Sequence, residues 1–117
     1  HSEAYAAGEL KHGPISLIED GTLVVALATN PALFDKTMSN VKEVKARGAE
    51  VLGLTIRRFD REIQKNVDSV ILTPETDPLF QPSLSIIPLQ CFAYYVALMR
   101  GCDIDKPRNL AKSVTVE

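Results

Sequence analysis

The sequence predicts an α/β fold in which a parallel sheet of about three strands is flanked by helices in a three-layer sandwich. The apolar runs Thr22–Ala28 and Glu50–Ile56 lack polar alternation, which is typical of strands covered by helices on both faces. Between them lies a segment of helical periodicity, and strand, helix and strand together form one right-handed crossover unit. A shorter apolar run, Ser69–Thr73, predicts a third strand.

Helices are predicted before, between and after these strands. Residues 2–12 favour helix by composition until Gly13-Pro14 interrupts the chain, and a short helical piece follows from Pro14 to Ile18. After the start signal Thr29-Asn30-Pro31, an apolar stripe runs to about Arg47, and a short helix is possible within 57–68. The last run, Ser83–Arg100, is apolar nearly all round and predicts a buried core helix that Pro88 kinks or begins. The apolar stripe consists of Phe34, Met38, Val41 and Val44 or Lys45. Gly48 is expected to be the left-handed cap of this helix, and Gly101 caps the last one.

Composition narrows the class of protein. The chain has 117 residues with 13 basic and 15 acidic side chains, a net charge of −2, and a pI of about 5.7. This balance argues against a nucleic-acid partner that is bound through counterion release.

The longest apolar stretch, Leu84–Met99, is interrupted by polar residues and is too short to span a bilayer, so no membrane association is expected. Two cysteines, Cys91 and Cys102, fit a reducing compartment, and we expect a cytoplasmic protein.

Two residues are candidates for chemistry. His12 lies at a helix end before Gly13-Pro14, where its imidazole either carries protons near neutral pH or hydrogen-bonds the last carbonyls of the helix. Glu9 and His12 match half of a carboxylate-bridged metal motif, but nothing in the sequence completes it, so no metal is expected. Lys112 either forms a Schiff base, if its amine is kept uncharged, or is an ordinary solvated lysine. Its apolar neighbours, which include Leu110 and Ala111, favour a tail that docks.

The other candidates have simpler interpretations. Asn30-Pro31 caps the next helix or presents backbone amides to a phosphate. Cys91 reads as a core residue, and nothing beside Cys102 indicates an activated thiolate. The basic residues at 57, 58 and 61 alternate with acids and predict a solvated surface.

Both ends of the chain are similar to one family. Ser2–Pro14 (SEAYAAGELKHGP) resembles a signature of the sugar isomerase (SIS) domains of glutamine:fructose-6-phosphate aminotransferases, and Pro107–Glu117 (PRNLAKSVTVE) resembles their C-terminal tail. Between them, Pro88-Leu89-Gln90 and the run Ala93–Leu98 match the last core helix of that family. The resemblance covers the whole chain and is looser between residues 29 and 82. It implies that residues 1–117 are the C-terminal portion of a SIS domain, with 103–117 as an active-site tail.

The resemblance also implies roles for individual residues. Lys112 would form a Schiff base with the open-chain sugar phosphate, and His12 would open the sugar ring in the neighbouring subunit of a homodimer. Arg108 and Ala111 would bind substrate, and Leu110 and Ala111 would line an ammonia channel. The substrate and product would be fructose 6-phosphate and glucosamine 6-phosphate, with no cofactor.

The chain departs from the family's full pattern, because it begins at His1 within a helical segment. The glutaminase domain, the first SIS domain and a general-base glutamate expected just before His1 are missing. We therefore expect a truncated half-domain that is inactive by itself. The alternative is a SIS module that binds sugar phosphate without catalysis.

Overall fold

The computed structural model describes residues 1–106 and contains a parallel three-stranded sheet. Its strands are β1 (Leu23–Ala28), β2 (Glu50–Ile56) and β3 (Ser69–Thr73), in the order β1-β2-β3. Val24 lies beside Val51, and Gly53 beside Val70. The predicted α/β class is confirmed, and β2 and β3 have the bounds that the apolar runs indicated.

Helix α1 (Phe34–Lys45) packs its predicted stripe against one face of the sheet. Phe34, Met38, Val41 and Val44 are all buried, which resolves the last position of the stripe as Val44 rather than Lys45. Gly48 has a φ of +89°, the left-handed conformation expected after the helix.

The connection from β2 to β3 covers the same face. A 3₁₀ turn, Arg57–Phe59, leads into the short helix α2 (Asp60–Ile63), so the short helix expected within 57–68 is present. Ile63 is fully buried over Gly53, where an added Cβ would lie 2.7 Å from the Ile63 Cδ1 atom. Asp68 directly precedes β3: its carboxylate accepts a hydrogen bond from the Val51 N–H at 2.6 Å and contacts Lys45 Nζ at 2.7 Å.

The N-terminal segment differs from its prediction. Helical structure covers Ala7–His12 rather than 2–12, and it is a 3₁₀ helix. Ala6 offers no side chain to cap the first turn, and Gly8 weakens helix at its start, which accounts for the shorter element. A second 3₁₀ helix, Pro14–Leu17, corresponds to the predicted short piece.

Burial on both faces of the sheet is confirmed only in part. Leu54 and Ile56 of β2 are fully buried on the face opposite α1, as expected for a central strand. On β1, however, Leu23 and Leu27 are half-exposed, at 50% and 49%. The expectation of burial on both faces was wrong for β1, because the described residues leave about half of each of these two side chains uncovered.

The described residues divide into two compact units, the first of residues 1–85 and the second beginning at Ile86, and helix α3 (Gln81–Met99) contributes residues to both. Its C-terminus is closed by backbone bonds from the Gly101 N–H to the Leu98 oxygen and from the Cys102 N–H to the Ala97 oxygen. Gly101 has the positive φ that this cap requires.

Helix α3 is not the buried core helix that its composition predicted. Ile86, Tyr95 and Leu98 are exposed, and so is Cys91, which was expected in the core. Apolar composition indicates that a helix favours burial, but it does not indicate which residues pack against the helix. By length and composition alone α3 also meets the criteria for a membrane span, which core helices of soluble proteins meet as well.

Candidate active site

His12 ends the 3₁₀ helix and projects into solvent. Its imidazole Nδ1 lies 3.0 Å from a carboxylate oxygen of Glu9, and both side chains are about two-thirds exposed. Gly13, with a φ of +151°, turns the chain immediately afterwards, and its oxygen accepts a hydrogen bond from the Ser16 hydroxyl. The described partner of His12 is therefore a carboxylate rather than the carbonyl groups at the end of its helix.

The segment that carries His12 is fixed to the body of the protein at the two preceding residues. Leu10 packs against the core, and Lys11 Nζ lies 3.4 Å from a carboxylate oxygen of Glu43 on α1. A cleft of about 440 Å³ separates this segment from α1, with Lys11 and Lys36 among its lining residues. The backbone next to His12 is therefore held against the core and α1 by the two preceding residues.

The anchor also locates His12 along the sheet. Helix α1 starts beyond the carboxyl end of β1 and returns alongside the strands, and Glu43 is nine residues from its start, about 14 Å along the axis. Lys11, bound to Glu43, therefore lies toward the amino ends of the strands, and His12 follows it directly. Within one chain, His12 is placed away from the carboxyl edge of the sheet.

The carboxyl edge, where open α/β sheets usually bind ligands, holds a different set of groups. The Asn30 side chain accepts a hydrogen bond from the Ala32 N–H at 2.9 Å, so it closes a turn, and α1 begins at Phe34 rather than directly after Pro31. The Phe34 and Phe59 rings stack with centroids 4.0 Å apart.

The basic residues after β2 are exposed, as predicted for a solvated surface. Arg58 forms an ion pair with Glu75, which follows β3, and its guanidinium lies over the Phe59 ring. This pair joins the loops that follow two neighbouring strands.

A chain of buried hydrogen bonds, which sequence reasoning missed, connects the three strands just below this edge. The Thr55 hydroxyl donates to the Ala28 oxygen at 2.7 Å, and the Thr73 hydroxyl donates to the Thr55 oxygen at 3.2 Å. The Gln81 amide nitrogen lies 3.3 Å from the Thr73 hydroxyl. The only signal in the sequence was a threonine near the carboxyl end of each of two apolar strands.

Gln81 uses its whole amide in this network. Its nitrogen also donates to the Pro74 oxygen at 3.2 Å, and its oxygen accepts from the Thr76 N–H at 3.1 Å. The side chain is buried and holds the loop after β3 against the first turn of α3.

Hydrogen bonds between exposed side chains shift the pKa values of three groups among the described residues. Hydrogen bonding from Lys45, aided by the Val51 N–H, lowers the pKa of Asp68. Hydrogen bonding from Lys65 lowers the pKa of Glu62, and the Glu3 carboxylate raises the pKa of Tyr5.

The remaining candidates lie in the tail. Arg108, Leu110, Ala111 and Lys112 fall outside the described residues, so their predicted roles stay predictions. Within residues 1–106, no three His, Cys, Asp or Glu side chains gather as metal ligands would. The Asp103 carboxylate accepts hydrogen bonds from the backbone N–H groups of Asp105 and Lys106, which closes a turn at the start of the tail.

Comparison with known proteins decides the family. The SIS domain family model matches residues 1–100. The chain belongs to the SIS domain family.

Relatives of this SIS domain are glutamine–fructose-6-phosphate aminotransferases [isomerizing]. The chain is 61% identical over all 117 residues to the enzyme of Clostridium tetani, and 58% identical to those of Symbiobacterium thermophilum and Methanosarcina acetivorans. It spans 19% of the length of each of these relatives.

A solved structure agrees with this assignment. The SIS chain is similar to the C-terminal domain of glucosamine-fructose-6-phosphate aminotransferase from Francisella tularensis, with a TM-score of 0.83 and 36% identity. The match covers 89% of this chain and 29% of that one. The resemblance inferred from the two ends of the sequence is confirmed.

Proposed function

We propose that this SIS chain is part of the isomerase domain of an enzyme that converts fructose 6-phosphate and glutamine into glucosamine 6-phosphate and glutamate. The observation that carries the proposal is identity of 61% over all 117 residues, a range that contains His12 and Lys112, to a glutamine–fructose-6-phosphate aminotransferase [isomerizing]. Similarity of fold alone would not be enough to support the proposed activity, because proteins with one fold can have many functions.

Lys112 is the proposed nucleophile. Its uncharged amine attacks the C2 carbonyl of the open-chain ketose and forms an imine as water leaves. Ammonia then displaces the lysine amine and leaves an imine at C2. Transfer of a proton from C1 to C2, with the O1 hydroxyl proton passing to the nitrogen, yields the amino aldose. In this proposal Arg108 and Ala111 bind the sugar phosphate, and Leu110 and Ala111 line the route of ammonia.

His12 is the proposed acid–base group for opening the sugar ring. Its solvent exposure, and its distance from the carboxyl edge within its own chain, support action on the site of a second subunit. The proposed assembly is a homodimer through the isomerase domain, in the cytoplasm, with the glutaminase and first SIS domains elsewhere in a longer polypeptide. The chain's share of its relatives' length, 19%, supports a longer polypeptide.

An assay for glucosamine 6-phosphate tests the enzyme. The complete polypeptide that contains this chain is expected to form product, and Lys112→Ala to abolish it. Lys106→Ala is the matched control, because this lysine lies in the same tail and should be dispensable. Full activity in Lys112→Ala would reject the role of the lysine. Sugar-phosphate binding without turnover in the unmodified protein would favour a non-catalytic SIS module.

The 117-residue chain by itself is proposed to be inactive. It lacks the domain that would supply ammonia, and the family's general-base glutamate is not among its residues. Turnover above that of its own Lys112→Ala variant, with either glutamine or ammonia, would contradict this proposal.

A further inference from the structure

The carboxylate of Glu9 is placed to control which nitrogen of His12 carries the proton. Glu9 and His12 are three residues apart on a 3₁₀ helix, where side chains at this spacing lie one above the other. The contact joins Nδ1 to a Glu9 oxygen at 3.0 Å.

A carboxylate can only accept hydrogen bonds, so the Nδ1 atom must be the donor in this contact. When the imidazole is neutral, an Nδ1–H tautomer leaves Nε2 as the free lone pair. That atom is on the far side of the ring from Glu9, and the side chain is two-thirds exposed. The atom available to an external molecule is therefore Nε2.

The backbone beneath the pair is held in place. Lys11 is bound to Glu43, Leu10 packs against the core, and Gly13 turns the chain directly after His12. The pairing between Glu9 and His12 thus acts on a fixed support, and it can set the direction of the ring.

We propose that Glu9 is a positioning residue that holds His12 as the Nδ1–H tautomer and presents Nε2 to the sugar ring. The inference rests on the proposed function for its catalytic consequence. The tautomer itself does not depend on that function and can be measured in the chain alone.

The chain provides its own reference histidine. His1 contacts Glu3 through Nε2 at 3.1 Å, so the same reasoning assigns His1 the opposite tautomer. The sequence contains only these two histidines. One spectrum therefore compares both cases.

The first measurement is a long-range ¹H–¹⁵N correlation spectrum of histidine-labelled chain, at a pH where both rings are neutral. We expect Nδ1–H for His12 and Nε2–H for His1, with His12→Asn assigning the signals. Glu9→Ala should shift His12 toward Nε2–H, and Glu3→Ala should leave His12 unchanged. An Nε2–H tautomer for His12 in the unmodified chain, or no change in Glu9→Ala, would overturn the proposal.

The second measurement is steady-state kinetics of the complete polypeptide. Glu9→Ala is expected to lower kcat about tenfold with little change in KM. This loss is smaller than the whole rate enhancement that a positioned general acid or base supplies, because His12 itself remains. Glu9→Gln, which keeps an acceptor oxygen, should recover part of the loss. Unchanged kcat in Glu9→Ala, despite a changed tautomer, would overturn the catalytic role.

The two proposals fail in different ways. If the unmodified complete polypeptide makes no product while the spectra show the expected tautomers, the proposed function fails and the pairing between Glu9 and His12 stands. If product forms and the tautomer of His12 is not the expected one, only the role of Glu9 fails.

Discussion

Replacing Gln81 with alanine should strongly destabilise the fold. The buried amide makes three hydrogen bonds, to the Thr73 hydroxyl, the Pro74 oxygen and the Thr76 N–H. At about 1 kcal/mol each, their loss lowers the free energy of unfolding by about 3 kcal/mol. With a denaturant slope of about 1.5 kcal/mol/M in urea, the midpoint falls by about 2 M.

Urea unfolding followed by circular dichroism measures this change. Gln90→Ala is the matched control, because Gln90 is an exposed glutamine of the same helix and its midpoint should stay nearly constant. A midpoint shift below about 0.5 M in Gln81→Ala would refute the reasoning, since each bond would then contribute well under the usual amount.

Three further predictions concern positions whose environments are equally specific. Gly53→Val places a side chain against Ile63 and should cost about 1–3 kcal/mol in the same urea assay, whereas Gly8→Ala, with no atom within 4 Å, should cost much less. Gly48→Ala should also destabilise, because the residue has positive φ and its Cβ would lie 2.9 Å from the Asp20 backbone; an unfolding midpoint equal to the unmodified chain would contradict this. Asp68→Asn should lower stability at neutral pH but not in acid. Because the pKa of Asp68 is lowered, its contribution to stability is complete above the unfolded value of about 3.9 and is lost as pH falls through the folded value. The unfolding curves of the two proteins should therefore begin to approach each other below about pH 4 and coincide only below the folded pKa.

The elements that sequence reasoning predicted well are those with a strong local pattern. The bounds of β2 and β3 followed from apolar runs between polar segments, and the face of α1 followed from the spacing of Phe34, Met38, Val41 and Val44. Gly48 was assigned its conformation because a helix must end there.

The errors arose where burial or pairing depends on distant residues. Helix α3 and Cys91 were expected to be buried from apolar composition, which contains no information on what covers them. The network through Thr55, Thr73 and Gln81 depends on strand register and on the start of α3, which the sequence alone did not provide.

The candidate site was only partly accessible from sequence. His12 and its spacing from Glu9 were identified, but the spacing was considered as half of a metal motif. The 3₁₀ geometry that aligns the two side chains becomes clear only in the structure. The tail residues were assigned by resemblance alone.

Trapping of the imine with borohydride tests the central claim most directly. The complete polypeptide is mixed with fructose 6-phosphate, reduced, and mapped by peptide mass spectrometry. The account predicts a sugar-phosphate adduct on Lys112, retained in Lys106→Ala and lost in Lys112→Ala. An adduct on a different lysine, or none while product still forms, would contradict it.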